Sequence, residues 1–322
     1  MFADYRIKYT LAKLVSRMSL LTMKISRIFL SLFFSLVVAV ATAQVGMDSL
    51  KRELQREIKS YPATVGVALI VNGRDTLALN NEVQYPMMSV FKFHQALAVA
   101  DYLQRNRLTF DTPVAVQKAD LKENTYSPLR DKYPQGGVTK TVGELLAYTL
   151  QLSDNNACDI LFDRFVTVAE TDAYIRRQGI ADFAIVANED DMHADLGKCY
   201  QNWTSPLAAV RLLDKFITGK TVTGAYQDFL QQTMTACTTG TARLPYPLQG
   251  TEAVLGHKTG TGDRNERGEY IGINDIGFVL LPGGNRYVIA VLVKDSRASY
   301  EETEGMIGRV SEIVYKHIKH LF

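Results

Sequence analysis

Cysteine is scarce in this 322-residue chain, with three residues, and histidine hardly more frequent, with five. None of them stands at a metal-ligand spacing, so the sequence outlines no metal site. Isolated histidines such as His94 and His257 read as packing or surface residues. Cys158, Cys199 and Cys237 are too few for a disulfide-stapled scaffold. In an oxidising space they allow one disulfide and one free thiol, and spacing does not choose the pair. A surplus of one charge sign is missing as well: 36 Lys and Arg stand against 34 Asp and Glu. That balance argues against nucleic acid as a partner. Repeats, low-complexity segments and long linkers are also lacking.

Long apolar runs are confined to one place. Lys24 and Arg27 precede Ile28 to Val40, which is short for a membrane span, and Ala41-Thr42-Ala43 offers small residues before Gln44. This pattern is that of a Sec-type secretory signal cleaved near Ala43-Gln44. Residues Met1 to Thr22 are foreign to such a signal, and Met23 is an alternative start. No second span follows, and no cysteine stands at the cleavage point. A periplasmic or secreted protein without a membrane anchor is expected, with residues 1–43 removed and residues 44–322 forming the working domain. Removal of the basic leader turns the formal net charge from +2 to negative.

The remainder is long enough for a well-formed core. Ser49 to Ser60 has an amphipathic helical period. Ala63 to Val71 and Asp75 to Leu79 read as strands around a turn at Asn72-Gly73. The middle, from about Ser89 to Thr235, is mostly helical in pattern, as in Val142 to Leu152 and Leu207 to Ile217. Strands return at Ala253 to Thr261, Tyr270 to Leu281 and Arg286 to Lys294, with Pro282-Gly283-Gly284-Asn285 between the last two. Ser299 to His320 closes the chain as a helix. The expected fold is α/β of the α+β kind, an antiparallel sheet flanked by helices plus an all-helical lobe. The α/β lobe would take residues 44–86 and 245–322, the helical lobe residues 87–244, with a cleft between them.

Three short stretches carry chemistry. In Ser89-Val90-Phe91-Lys92 a serine falls in the first turn of an apolar helix and a lysine lies one turn on, on the same face. A serine attacks a carbonyl only when a nearby base takes its proton. Burial disfavours an ammonium, so a lysine on this helix suits proton transfer near neutral pH. The helix N-terminus presents N–H groups to a developing oxyanion. Ser-x-x-Lys by itself is a weak signal. Ser153-Asp154-Asn155 and Lys258-Thr259-Gly260, following in this order, make the set specific.

Together these stretches resemble the class A serine β-lactamases, over nearly the whole chain after the leader. Tyr126-Ser127-Pro128 is similar to the segment that walls the mouth of that family's site, and Asn188-Glu189 to Pro206 to its Ω-loop. The resemblance implies a β-lactamase/penicillin-binding transpeptidase-like fold. It also implies hydrolysis of the amide bond of penicillins and cephalosporins through an acyl-serine, without metal or organic cofactor, giving antibiotic resistance. Ser89 would be the nucleophile, with an oxyanion hole from the N–H groups of Ser89 and Thr261. Ser153 would relay a proton to the lactam nitrogen, and Glu189 would activate the deacylating water. Asn155 would bind the substrate amide and position Lys92. Lys258, Thr259, Gly260 and Thr261, on an edge strand, would hold the substrate carboxylate, and Tyr126 would wall the cleft. The expected partner is a small-molecule β-lactam, and the expected state a monomer.

Several positions depart from the commonest pattern of that family. Ala187 and Asn202 stand where an arginine and an aspartate usually close the neck of the Ω-loop, so that salt bridge cannot form. His193 and Asp159 each replace an asparagine. These changes resemble the extended-spectrum and cephalosporin-hydrolysing subgroup of some Gram-negative bacteria, whose loop is rearranged. Arg243 would take over carboxylate binding from an arginine on a late strand. A penicillin-binding D,D-peptidase would share the serine, lysine and Lys-Thr-Gly elements, and a rival of a different class is a non-hydrolytic β-lactam receptor that acylates once and signals. Glu189 and the lack of an anchor or output segment favour the hydrolase.

Overall fold

The structure is a computed structural model that describes residues 46–319, so the expected leader, residues 1–43, lies outside the described residues. The chain divides into two compact units. Residues 46–50, in the first unit, are helical. The second unit, residues 51–320 with residue 322, holds every element discussed below.

Its sheet has five antiparallel strands: β1 (Thr64–Val71), β2 (Asp75–Leu79), β8 (Val254–Thr261), β9 (Tyr270–Leu280) and β10 (Arg286–Ser296), in the spatial order β2-β1-β10-β9-β8. β1, β9 and β10 are apolar almost without interruption, and they are buried along nearly their whole length. A strand covered on both faces needs no polar alternation. The covering comes from α9 (Pro206–Ile217), packed on β1, β9 and β10, and from α11 (Tyr300–Lys319), packed on β9 and β10. Helical residues 51–59 (α1) bury Leu54 and Ile58, and Glu57 of this helix accepts from Arg309 of α11 at 2.6 Å. The β1–β2 connection, residues 72–74, takes Asn72 at φ 51° and Gly73 at φ 69°, and Arg74 N donates to Val71 O at 3.0 Å across this tight turn. The expected strands and helices are present with ends shifted by at most three residues.

Between β2 and β8 the chain is helical, but not wholly so. Besides α9, the helices there are α2 (Phe91–Arg105), α3 (Pro128–Lys132), α4 (Val142–Gln151), α5 (Asn155–Arg164), α6 (Val168–Arg177), α7 (Glu189–Ala194), α8 (Gly197–Gln201) and α10 (Ala225–Thr235). Two small sheets interrupt them: β4 (Pro113–Val116) with β5 (Val138–Thr141), and the trio β3 (Tyr85–Pro86), β7 (Trp203–Thr204), β6 (Phe183–Ala184). Strands of two residues carry no readable period, so the sequence could not announce them. α2 runs through the centre, touching α4, α5, α6 and α10, and its first ten residues are all buried. A helix apolar all round belongs in a core.

One side chain ties the sheet to the start of α2. Asn274, in the middle of β9 and fully buried, donates to Pro86 O at 2.8 Å and to Met87 O at 3.1 Å, and accepts from Val293 N at 2.9 Å. Replacement by alanine would leave buried backbone groups without partners. Asn274→Ala is expected to destabilise the protein by about 2–4 kcal/mol in urea unfolding. A loss below about 0.5 kcal/mol would show that these bonds contribute nothing net.

Candidate active site

The segment before α2 does not enter the helix directly. Met88–Val90 forms a single tight turn, with Met88 at φ 47°, and α2 begins only at Phe91. This turn holds Ser89 partly exposed while Met87, Met88, Val90 and Phe91 are buried. Lys92 follows with no exposure at all. Its Nζ donates to Ser89 Oγ at 3.1 Å, Ser153 O at 2.7 Å and Asn155 Oδ1 at 2.6 Å, and lies 2.8 Å from Glu189 Oε1. Glu189 Oε1 is in turn 3.5 Å from Ser89 Oγ, which donates to it. The sequence reading weighed burial of this lysine but not the carboxylate set against it.

Asp154 explains why Ser-Asp-Asn works as a unit. Its buried carboxylate caps α5 by accepting from Ala157 N at 2.8 Å, and also accepts from Leu129 N at 2.6 Å and Ser127 Oγ at 2.9 Å. The residues on either side are thereby aimed into the cleft. Ser153, at φ 60°, accepts from Lys258 Nζ at 2.9 Å, and Asn155 Nδ2 donates to Thr125 Oγ1 at 2.8 Å. Thr125 was not singled out from the sequence, since a threonine in a polar loop carries no signal of its own.

β8 is an edge strand, as expected, and Gly260 lets it approach the nucleophile turn. A Cβ at this position would lie 2.5 Å from Met87 O, closer than real side chains come. Lys258 is fully buried. Burial first, and then the neighbouring Lys92 charge, push its ammonium down to about 7. Thr259 Oγ1 shares a 2.6 Å hydrogen bond with Thr239 Oγ1, another residue the sequence left without a role.

Arg243 is placed beside the cleft, but its donors are engaged inside the protein. Nε donates to Glu304 at 2.9 Å, Nη1 to Asn274 O at 2.8 Å and Gly260 O at 3.2 Å, and Nη2 to Thr261 Oγ1 at 2.7 Å and Tyr300 Oη at 3.1 Å. These five contacts use all five guanidinium N–H groups. The expectation that Arg243 binds a substrate carboxylate is corrected accordingly. It braces Thr261, whose hydroxyl keeps its own proton to donate.

The Ω-loop neck is closed by a neutral device where an ion pair was missing. Asn202, fully buried, accepts from Val186 N at 2.8 Å and Ala187 N at 3.0 Å and donates to Ala187 O at 2.8 Å. Its backbone carbonyl accepts from Met87 N at 2.8 Å, which anchors the loop to the nucleophile turn. Asp159 on α5 accepts from Glu189 N at 3.0 Å and Asp190 N at 2.9 Å. Burial, then the Glu189 charge, pushes the Asp159 carboxyl up to about 7. His193 is exposed at the cleft edge. The three cysteines are free, so the allowed disulfide is not formed. The cleft has a volume of about 560 Å³ and is walled by Ser89, Ser153, Asn155, Glu189, Thr261 and the exposed Tyr126, among others.

Residues 49–318 match the beta-lactamase enzyme family. The chain belongs to that family. It is 38% identical to a beta-lactamase of Bacteroides uniformis, over 88% of this chain and 95% of that protein. It is 36% identical to the extended-spectrum beta-lactamase PER-1 of Pseudomonas aeruginosa, over 83% of this chain and 86% of the other. Among solved structures, the extended-spectrum beta-lactamase TLA-1 matches with a TM-score of 0.82 at 39% identity, over 85% of this chain and 99% of that one. A class A beta-lactamase from Bacteroides cellulosilyticus matches with the same TM-score at 38% identity. The fold is therefore the α+β fold of class A beta-lactamases.

The Asp159 carboxyl, raised from 3.8 to about 7, retains its proton in the folded chain where the unfolded chain has lost it. Its contribution to stability is therefore largest at low pH and falls as pH rises between about 4 and about 7. Urea unfolding of the parent and Asp159→Asn at pH 5 and pH 7.5 is expected to show the parent losing ground to the variant at the higher pH. A difference independent of pH would sink this account.

Proposed function

We propose that this chain is a serine β-lactamase that hydrolyses the β-lactam amide bond through an acyl-serine. The observation that carries the proposal is the buried Lys92–Glu189 pair, at 2.8 Å, with the partly exposed Ser89 hydroxyl within 3.1 Å of one member and 3.5 Å of the other. As Ser89 Oγ attacks the lactam carbonyl, its proton passes to this pair. The N–H groups of Ser89 and Thr261 receive the oxyanion. That proton then moves on through Ser153, which the Lys258 ammonium faces at 2.9 Å, to the lactam nitrogen as it leaves, so the pair can take a second one. Lys258, Thr259 and Thr261 draw the substrate carboxylate, and Asn155 holds the acylamide side chain. Glu189 then takes a proton from the water that attacks the ester; a D,D-peptidase need not position such a carboxylate, and a receptor is acylated once without turnover.

Two finer readings belong to the proposal. Similarity to relatives named as extended-spectrum enzymes supports activity on oxyimino cephalosporins. The basic residues, the apolar run and the small residues up to Ala43 support export to the periplasm, where the enzyme acts as a monomer and confers resistance. Cell fractionation tests the first of these last points, and a cytoplasmic product would refute it.

Ser89→Ala is expected to abolish covalent labelling by a chromogenic cephalosporin, and a labelled variant would refute the nucleophile. Glu189→Ala is expected to acylate and then stall, with deacylation slowed by about 10²-fold or more. The stalled species is a persistent mass increase on the intact protein. Turnover at the parental rate would assign the hydrolytic base elsewhere.

A further inference from the structure

One residue before Lys258 on β8, strand alternation sends His257 to the opposite side from the lysine. There it is buried, and its Nδ1 lies 2.9 Å from Asp275 Oδ1 and 3.0 Å from Asp275 Oδ2. The Cys237 sulfur and the His257 ring border the same cavity, and each acts electrostatically on the other. Asp275 is itself fully buried on β9 and accepts from Leu244 N at 3.2 Å, so the orienting carboxylate is held rigidly. Cys237 and His257 line a second cavity of about 190 Å³. Its other walls include Pro245, Leu248, Ala253 and Leu255, with Gln249 as a polar neighbour. Thus a thiol borders an imidazole that a carboxylate holds, beside an open space whose other walls carry no charge. That order is the one which activates a cysteine nucleophile.

We infer that Cys237 is a reactive-thiol modification site, activated by His257 and Asp275, which takes small uncharged disulfides by thiol–disulfide exchange. The Cys237 thiolate attacks one sulfur of the disulfide. A new S–S bond forms as the old one breaks, and the departing thiolate keeps the electron pair, so no outside oxidant is consumed.

The electrostatics agree with the geometry. Burial pushes the Cys237 thiol up, but His257, then the Lys258 charge and the Thr239 hydroxyl together outweigh it and bring it down to about 7. Burial pushes His257 down, but Asp275 and then Cys237 outweigh it and carry it up to about 10. Cys158 and Cys199 differ. Burial drives Cys158 well up and Cys199 to about 11, which leaves both as inert thiols at neutral pH.

The site also reaches the β-lactam cleft. Cys237 Sγ lies 3.4 Å from Thr239 Oγ1, which shares the 2.6 Å bond with Thr259 Oγ1. An adduct on the sulfur displaces Thr239 and so disturbs the wall that receives the substrate carboxylate. This last consequence rests on the proposed β-lactam activity.

The test treats the purified protein with bis(2-hydroxyethyl) disulfide at pH 7 and follows intact mass and peptide maps. One adduct is expected, on Cys237, absent in Cys237→Ser and formed at least about 10-fold more slowly in His257→Gln. First reaction at Cys158 or Cys199, or an unchanged rate in a folded His257→Gln, would overturn the site. If that variant does not fold, the pH profile of the parent decides: a rate half-maximal near 7 supports the inference, and one near the ordinary thiol value of about 8.5 refutes it. The adduct is further expected to raise KM for a cephalosporin at least about threefold, reversibly with dithiothreitol. An unchanged KM would break the link through Thr239. Because labelling is read by mass without any β-lactam, failure of the hydrolase reading and failure of the thiol site appear separately.

Discussion

The burial of one ammonium organises this molecule. Lys92 has no exposure, and taking a charge out of water costs several kcal/mol unless its hydrogen bonds are replaced. Its four acceptors come from three different parts of the chain: the turn before α2, the Ser153 to Asn155 stretch, and Glu189 at the start of α7. Every one of those segments must therefore be delivered to the same point for the fold to close. The groups assembled to satisfy the lysine are also those that a hydroxyl nucleophile needs beside it.

Much of the surrounding structure serves that delivery. Asn274 binds the nucleophile turn to the central strand, Asp154 sets the turn that carries Ser153 and Asn155, and Gly260 admits the edge strand. The Ω-loop is held by groups of a different kind from an ion pair across its neck. Asn202 closes the neck through amide hydrogen bonds, and Asp159 holds the first N–H groups of α7 from beneath. A neutral amide pays less desolvation than a buried ion pair, and it fastens the loop to backbone without adding charge near Glu189. Burial, and then the Glu189 charge, push the Asp159 carboxyl up to about 7, so below that pH it too adds little charge beside Glu189.

The elements with strong periods were legible before any coordinates. β1, β9, β10, α4, α9 and α11 announce themselves by length and apolar pattern, and the Asn72-Gly73 turn by its chemistry. The brief β3, β6 and β7 were not, because two residues fit any period. Ser89, Lys92, Ser153 and Lys258 were legible as motifs of local spacing. Thr125 and Thr239 were not, since each acts only through a partner distant in sequence, Asn155 and Thr259. Arg243 was legible as a charge near the site but not as a saturated one: its acceptors come from β8, β9 and α11.

The order of residues alone determined which chemical groups this protein possesses, which helix and strands carry them, and the kinship they imply, because spacing along a helix or strand is a local property. Only tertiary structure decided how those groups are paired. That Lys92 meets Glu189, that Arg243 is consumed within the wall, and that Asp275 holds His257 on the cavity which Cys237 borders are facts of packing. Hydrogen bonds and charge interactions depend on distances of a few ångströms between segments that the chain keeps far apart.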